Sequence, residues 1–245
     1  MDKNLPIFEV IDELIDKLVR TKRVVLTAPP GAGKSTAIPI SLTKNPAFSE
    51  GKIIVLEPRR LAAKQVSSRM AQTLGEELGK TVGYRIRGEA KCSEKTKVEV
   101  VTEGILIRML QEDQQLTGVS TVIFDEFHER SLNADLGLAF CLEIASVLRN
   151  DLKILVMSAT LEIAAVSKLM QNAPIVSCEG KSFPVTPIWQ TKPVVQDQII
   201  GKLIIDVILE AISENKGSIL VFLPGEGEII KLASSLTNKV PDNCH

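Results

Sequence analysis

The run Pro30-Gly31-Ala32-Gly33-Lys34-Ser35-Thr36 follows an apolar stretch, Val24–Thr27, and precedes a segment of helical period. Two glycines at this spacing let backbone N–H groups turn toward a common point, and a helix starting there adds its partial positive charge. Strand, loop and helix together then form a cradle for an anion. Lys34 is placed to pair with the β- and γ-phosphates of a nucleotide, and the Ser35 hydroxyl to ligate a magnesium ion. The strict phosphate-loop string is missed at its first position, where Ala28 stands. A glycine-rich turn beside a surface lysine is the plainer alternative, but it gives no reason for Gly-Lys-Ser-Thr between a strand and a helix.

A second chemical pair lies far downstream. Val122-Ile-Phe124 runs into Asp125-Glu126-Phe127-His128-Glu129-Arg130. This puts two acids at the C-terminal end of a buried strand, the edge at which open parallel sheets bind ligands. Asp125 is suited to hold the magnesium ion through water, and Glu126 to take a proton from the water attacking the γ-phosphate. Taken alone, Asp-Glu could be a helix N-terminal charge pair; the phosphate loop upstream argues for the metal-and-base reading.

Elements that position these residues follow from the pattern. Runs rich in valine and isoleucine at Val24–Thr27, Ile53–Leu56, Val98–Val101, Thr121–Phe124, Ile154–Met157 and Ile219–Phe222 alternate with stretches of helical period, which predicts an α/β fold with a parallel sheet. Ile7, Ile11, Leu14, Ile15, Leu18 and Val19 mark an amphipathic first helix. Leu136, Cys141, Ile144, Val147 and Leu148 mark another after the fourth strand. Past Gln171 the texture changes: Ile175–Cys178 and Val185–Trp189 read as short strands punctuated by Pro174, Pro184, Pro187 and Pro193. A helix carrying Ile199, Leu203, Ile204, Val207, Ile208, Ala211 and Ile212 then leads to the run at Ile219. This divides the chain into residues 1–179 and a second α/β unit, 180–245, that is short for a domain.

Asp125-Glu-Phe-His128 resembles the DEAH box of superfamily 2 helicases, and its continuation Glu-Arg-Ser-Leu is similar to the bacterial HrpB branch, in which a Phe such as Phe127 replaces the name-giving Ala. Other stretches fall in that family's order. Leu56-Glu-Pro-Arg59-Arg60 resembles motif Ia, Thr102-Glu103-Gly104 motif Ib, Ser158-Ala159-Thr160 motif III and Ile219-Leu-Val-Phe-Leu-Pro-Gly225 motif IV. The segment Val82–Glu89 is similar to one between motifs Ia and Ib, where Tyr84 could stack a base or pack in the core. The resemblance implies a RecA-like domain followed by the start of a second one, and ATP or another NTP as cofactor with magnesium. It also implies single-stranded nucleic acid, most of all RNA, as partner. Arg59, Arg60, Thr102 and Gly104 would line the strand channel, and Ser158 and Thr160 would couple it to the nucleotide site. His128 would touch the second domain.

Nothing matching motifs V and VI follows Gly225. The expectation is of an amino-terminal fragment whose second motor half lies elsewhere in cis, and which hydrolyses ATP poorly alone because an arginine finger is worth on the order of 10³–10⁵ in turnover. Bulk properties agree with a folded cytoplasmic protein. The chain has 245 residues, 44% hydrophobic and 24% charged, and a formal net charge of -1 that gives no global polyanion-binding field. Cys92, Cys141, Cys178 and Cys244 are irregularly spaced and read as reduced thiols. No leader or membrane span is expected. A non-catalytic nucleotide- and RNA-binding scaffold is the alternative reading. A phosphate-loop kinase or assembly ATPase would leave the four further motifs as coincidences.

Overall fold

A computed structural model describes residues 5–159, 163–180, 184–189, 202–237 and 239–240. The chain divides into two compact units, Met1–Phe183 and Pro184–His245. In the first, strands β1 (Arg23–Thr27), β2 (Lys52–Leu56), β3 (Val82–Ile86), β4 (Glu89–Lys91), β5 (Val98–Val101), β6 (Val119–Phe124), β7 (Lys153–Ser158) and β8 (Ile175–Ser177) form one sheet of order β4-β3-β5-β2-β6-β7-β1-β8. Every pairing is parallel except β3 with β4, an antiparallel hairpin at the edge.

Helices cover both faces, which is why the central strands are buried and mostly apolar. One face of the sheet packs on α1 (Ile11–Thr21), α2 (Lys34–Thr43) and α3 (Arg60–Leu74), through Leu14, Leu18, Ile38, Leu42, Ala63 and Met70. The other packs on α4 (Glu103–Glu112), α5 (Leu132–Val147) and α6 (Ile163–Leu169), through Leu106, Leu110, Leu138, Cys141, Ile144 and Val166. Strand residues alternate between the two cores: Val24 and Leu26 join the first and Val25 the second.

The expected strands of this unit are present: β1, β2, β6 and β7 extend one or two residues beyond the expectation, β5 coincides with it, and β8 ends one residue short of Cys178. Ile7 belongs to a 3₁₀ turn, Pro6–Glu9, ahead of α1 rather than to the helix itself. The face of α5 differs from the expectation: Cys141 and Ile144 are buried, but Leu136, Val147 and Leu148 are exposed. Its buried face is built from Ala134, Gly137, Leu138, Cys141 and Ala145, because the helix lies close to α4: a Cβ on Gly137 would stand 3.2 Å from Leu106 Cδ2. Close approach selected small side chains over apolar ones.

In the second unit α7 (Lys202–Glu214) agrees with the expected helix over its described residues, with Ile208 buried, and α8 (Glu226–Leu236) follows. Ile199 lies outside the described residues. Val185–Trp189 and Ile219–Phe222 are not strands. Their side chains are largely exposed, with Trp189 and Phe222 both at 86%. A strand requires a hydrogen-bonding neighbour, and none is present among the described residues of this unit.

Candidate functional site

β1 and β6 end at the same edge of the sheet, separated only by β7, so the loops that follow them converge. After β1, Gly31 (φ +78) and Gly33 (φ +93) take left-handed conformations, and Gly33 caps α2 by accepting from the N–H of Ala37 at 2.9 Å. A side chain at Gly33 would also strike Leu5 at 2.8 Å, and the Ile7 N–H donates to Ala32 O at 3.2 Å. The segment before α1 therefore buttresses the loop from below, a contact no sequence motif signals. Pro30 and Gly31 are exposed, Ala32 is buried, and Ser35 and Thr36 are half-buried in the first turn of α2.

Lys34 is 4% exposed and its ammonium lies 3.0 Å from Glu126 Oε1. Asp125 is 3% exposed. Its Oδ1 accepts from the Glu126 N–H at 2.9 Å, whereas Oδ2 is buried with no hydrogen-bond partner among the described residues. Burial pushes the Asp125 carboxyl up to about 6, opposed first by the Ser35 hydroxyl. A buried, orphaned carboxylate oxygen beside a serine hydroxyl fits the donor set of a hard divalent cation, which takes oxygen ligands and offsets the desolvation of a buried carboxylate.

The turn after β6 is unusual. Glu126 has φ +49 and Arg130 φ +46, and between them Phe127–Glu129 forms one 3₁₀ turn. Non-glycine residues in this region persist only where the surroundings over-determine them. Phe127 is the anchor, buried and edge-on to Phe124 at 6.1 Å between ring centroids, with the Arg130 guanidinium 5.7 Å from its ring. His128 Nδ1 accepts from the Ala159 N–H at 3.3 Å and lies 3.5 Å from Glu126 Oε2. The DEAH-like loop is thus joined directly to the Ser158-Ala159 segment that ends β7. Ser158 is buried and its carbonyl accepts from the Ala28 N–H at 3.2 Å, while Thr160 lies outside the described residues.

The residues expected to meet nucleic acid lie along the same edge. Arg59 and Arg60 are exposed at the start of α3; Arg60 Nη2 donates to the Arg87 carbonyl at 2.9 Å, and Arg59 is held by Glu129. Thr102 precedes α4 and is nearly buried, its carbonyl accepting from Ile105 and Leu106, and Gly104 is exposed in the first turn. Tyr84 is a core residue: it is buried and its hydroxyl bonds Glu89, leaving no face for a base.

One acid was not singled out by the motifs. Glu57 follows β2 as Asp125 follows β6, and the register Leu56↔Phe124 makes them neighbours on the face that carries α2. Glu57 is 5% exposed, and burial, then the Asp125 charge, raises its pKa from 4.5 to about 7. Its signal was available: an acid directly after an apolar strand. The sign of its effect on stability follows. Below pH 4.5 both folded and unfolded chains hold the proton; as pH rises to about 7 the unfolded chain releases it first, so stability is lost across that window. Glu57→Gln is expected to stabilise the chain at pH ~8 by on the order of 3 kcal/mol in urea unfolding, and to change little below pH 4.5.

Among the described residues Cys92, Cys141 and Cys178 are free thiols, and burial pushes Cys141 up to about 12. No described helix is long and apolar enough to cross a membrane.

Comparison with known proteins agrees with this geometry. The ATP-dependent RNA helicase HrpB of Escherichia coli is 46% identical over 237 residues, which is 97% of this chain and 29% of that protein. The ATP-dependent RNA helicase HrpA of Borreliella burgdorferi is 38% identical over 242 residues, again 97% of this chain and 29% of that protein. A crystal structure of the Escherichia coli DEAH/RHA helicase HrpB matches with a TM-score of 0.86 at 44% identity, covering 98% of this chain and 30% of that one. The chain thus spans less than a third of the length of these relatives. The DEAD/DEAH box helicase family profile matches residues 9–169, which takes in both loops of the site and every strand of the RecA-like sheet but β8; the chain belongs to the DEAD/DEAH box helicase family.

Proposed function

We propose that this chain is the nucleotide-binding part of an RNA helicase motor that hydrolyses ATP or another NTP to move along single strands in the cytoplasm. The observation that carries the reading is the Lys34–Glu126 contact of 3.0 Å beside the unpartnered, buried Asp125 Oδ2, at the sheet edge where the phosphate loop opens. Pro30–Thr36 would wrap the phosphates, Lys34 would neutralise them, and Ser35 with Asp125 would hold magnesium, Asp125 through water. Glu126, once Lys34 turns to the phosphates, is left beside the γ-position as the proton acceptor. Arg59, Arg60, Thr102 and Gly104 would meet the RNA backbone, and Ser158 and Thr160, with His128, would pass the state of the site toward it. Residues 180–245 would be the linker and first part of a second RecA-like domain, completed by the further sequence that the relatives possess.

The relatives' names supply the RNA and ATP in this proposal; the residues supply the phosphate chemistry. The test is Mg-ATP hydrolysis with and without single-stranded RNA, on this chain and on a form extended to the length of the relatives. Slow turnover by this chain, and RNA-stimulated turnover by the longer form that Glu126→Gln lowers by ~10²–10⁴, are the expected results. A longer form that binds nucleotide and RNA but never turns over would replace the motor with a scaffold.

A further inference from the structure

The loops after β2 and β6 leave the sheet side by side, and one ion pair joins them. Arg59 Nη2 lies 2.7 Å from Glu129 Oε1 and Arg59 Nε 3.2 Å from Glu129 Oε2. This is the two-pronged arrangement that fixes both the position and the direction of a guanidinium. Glu129 is not an independent surface acid. Its N–H donates to the Glu126 carbonyl at 2.9 Å, so Glu126 and Glu129 are the two ends of a single 3₁₀ turn. Phe127, buried between them, is where that turn is fixed to the core. One end of the turn grips Lys34 of the phosphate loop and the other grips Arg59.

A short turn pinned at its middle and held at left-handed φ on both flanks cannot shift one end without the other. Nucleotide phosphates compete with Glu126 for Lys34, because a polyphosphate is the stronger partner for a buried ammonium. We infer that Glu129 is a positioning residue: it holds Arg59 off the nucleic-acid backbone while Lys34 is paired with Glu126, and releases it when phosphates take Lys34. The state of the nucleotide site is thereby read at the strand-binding surface through a path of four side chains, Lys34, Glu126, Glu129 and Arg59. This inference rests on the proposed role of Arg59 as an RNA contact.

Two measurements on the full chain test it. In the first, binding of a labelled single-stranded oligouridine is followed by anisotropy across a salt series, with and without magnesium and a non-hydrolysable ATP analogue. In the unsubstituted chain the analogue is expected to tighten binding about two- to fivefold and to steepen the salt dependence by ~0.7, the signature of one added phosphate contact. Glu129→Ala should show the tighter, steeper binding without nucleotide, and in an Arg59→Ala background it should have no effect. An equal gain in the Arg59→Ala background, or an unchanged salt slope, would mean that Glu129 acts only as a general negative charge and would overturn the inference. The second measurement needs no RNA: the Arg59 Nε–H resonance, assigned by its loss in Arg59→Lys, is expected to move on adding the analogue and to sit at the moved position in Glu129→Gln. If it ignores the nucleotide, the linkage does not exist. If it responds while no form binds oligouridine, the linkage stands and only the RNA reading fails.

Discussion

Lys34→Ala is expected to weaken Mg-ATP binding to this chain by on the order of 100-fold or more, measured by calorimetry or by a fluorescent nucleotide. The reason is that Lys34 is the buried cation closest to two acids, paired with Glu126 at 3.0 Å and acting on the buried Asp125. Removing one partner of a buried, hydrogen-bonded charge pair typically costs ~2–5 kcal/mol, and in the bound state the same nitrogen would be missing from the phosphates. The free chain should lose stability as well, because Glu126 and Asp125 would then face each other with no intervening cation. An affinity within about threefold of the unsubstituted chain would place the phosphates somewhere other than the loop between β1 and α2.

Phe127→Ala would convert this chain's box into the name-giving DEAH sequence, yet here it is expected to destabilise. Phe127 is 4% exposed, edge-on to Phe124 and beneath the Arg130 guanidinium. Deleting a buried phenyl ring costs ~3–5 kcal/mol from lost transfer energy and the residual cavity, unless neighbours collapse into the space. Urea unfolding measures this directly. Because the ring fixes the turn that carries Glu126 and Glu129, the loss should extend to function: nucleotide affinity should fall in step with the loosening of the turn. A variant as stable as the parent would mean that the surrounding side chains close over the gap, and that Phe127 is a passive filler.

Much of this was legible in the residues themselves, and the failures have physical causes. The central strands were readable because burial on both faces leaves little room for alternation, so each appears as a mostly apolar run, broken only by Glu99 in β5 and by Ser120 and Thr121 in β6. The hairpin β3–β4 was not, because edge strand β4 is exposed along its whole length and β3 interleaves Gly83 and Arg85 with its buried Val82, Tyr84 and Ile86, so neither reads as an apolar run. Ile219–Phe222 has the apolar run but no pairing partner among the described residues, and a run alone does not make a strand. On α5 the large apolar residues point outward, since the closeness of α4 rewards small ones; no hydrophobic period can report how near two helices lie. In the candidate site, Lys34, Ser35, Asp125 and Glu126 were singled out from type and spacing, and the fold brings them together from loops about ninety residues apart in the chain. Glu57 and the Glu129–Arg59 pair were missed because each depends on which strands are neighbours, a property of the sheet order β5-β2-β6 rather than of any local string.

That sheet order also sets when the site can exist. β1, which carries the phosphate loop, has as its two neighbours β7 and β8, with Thr27 aligned to Ser158 on one side and to Ser177 on the other. During synthesis, at ~5–20 residues per second, β1 is made and then waits on the order of ten seconds for either edge to be filled. The first strand of the nucleotide site is thus the last to be enclosed. Until β7 is made, β1 has neither strand neighbour and the loop lacks the bond from the Ala28 N–H to the Ser158 carbonyl, so nucleotide is not expected to assist the earliest steps of folding.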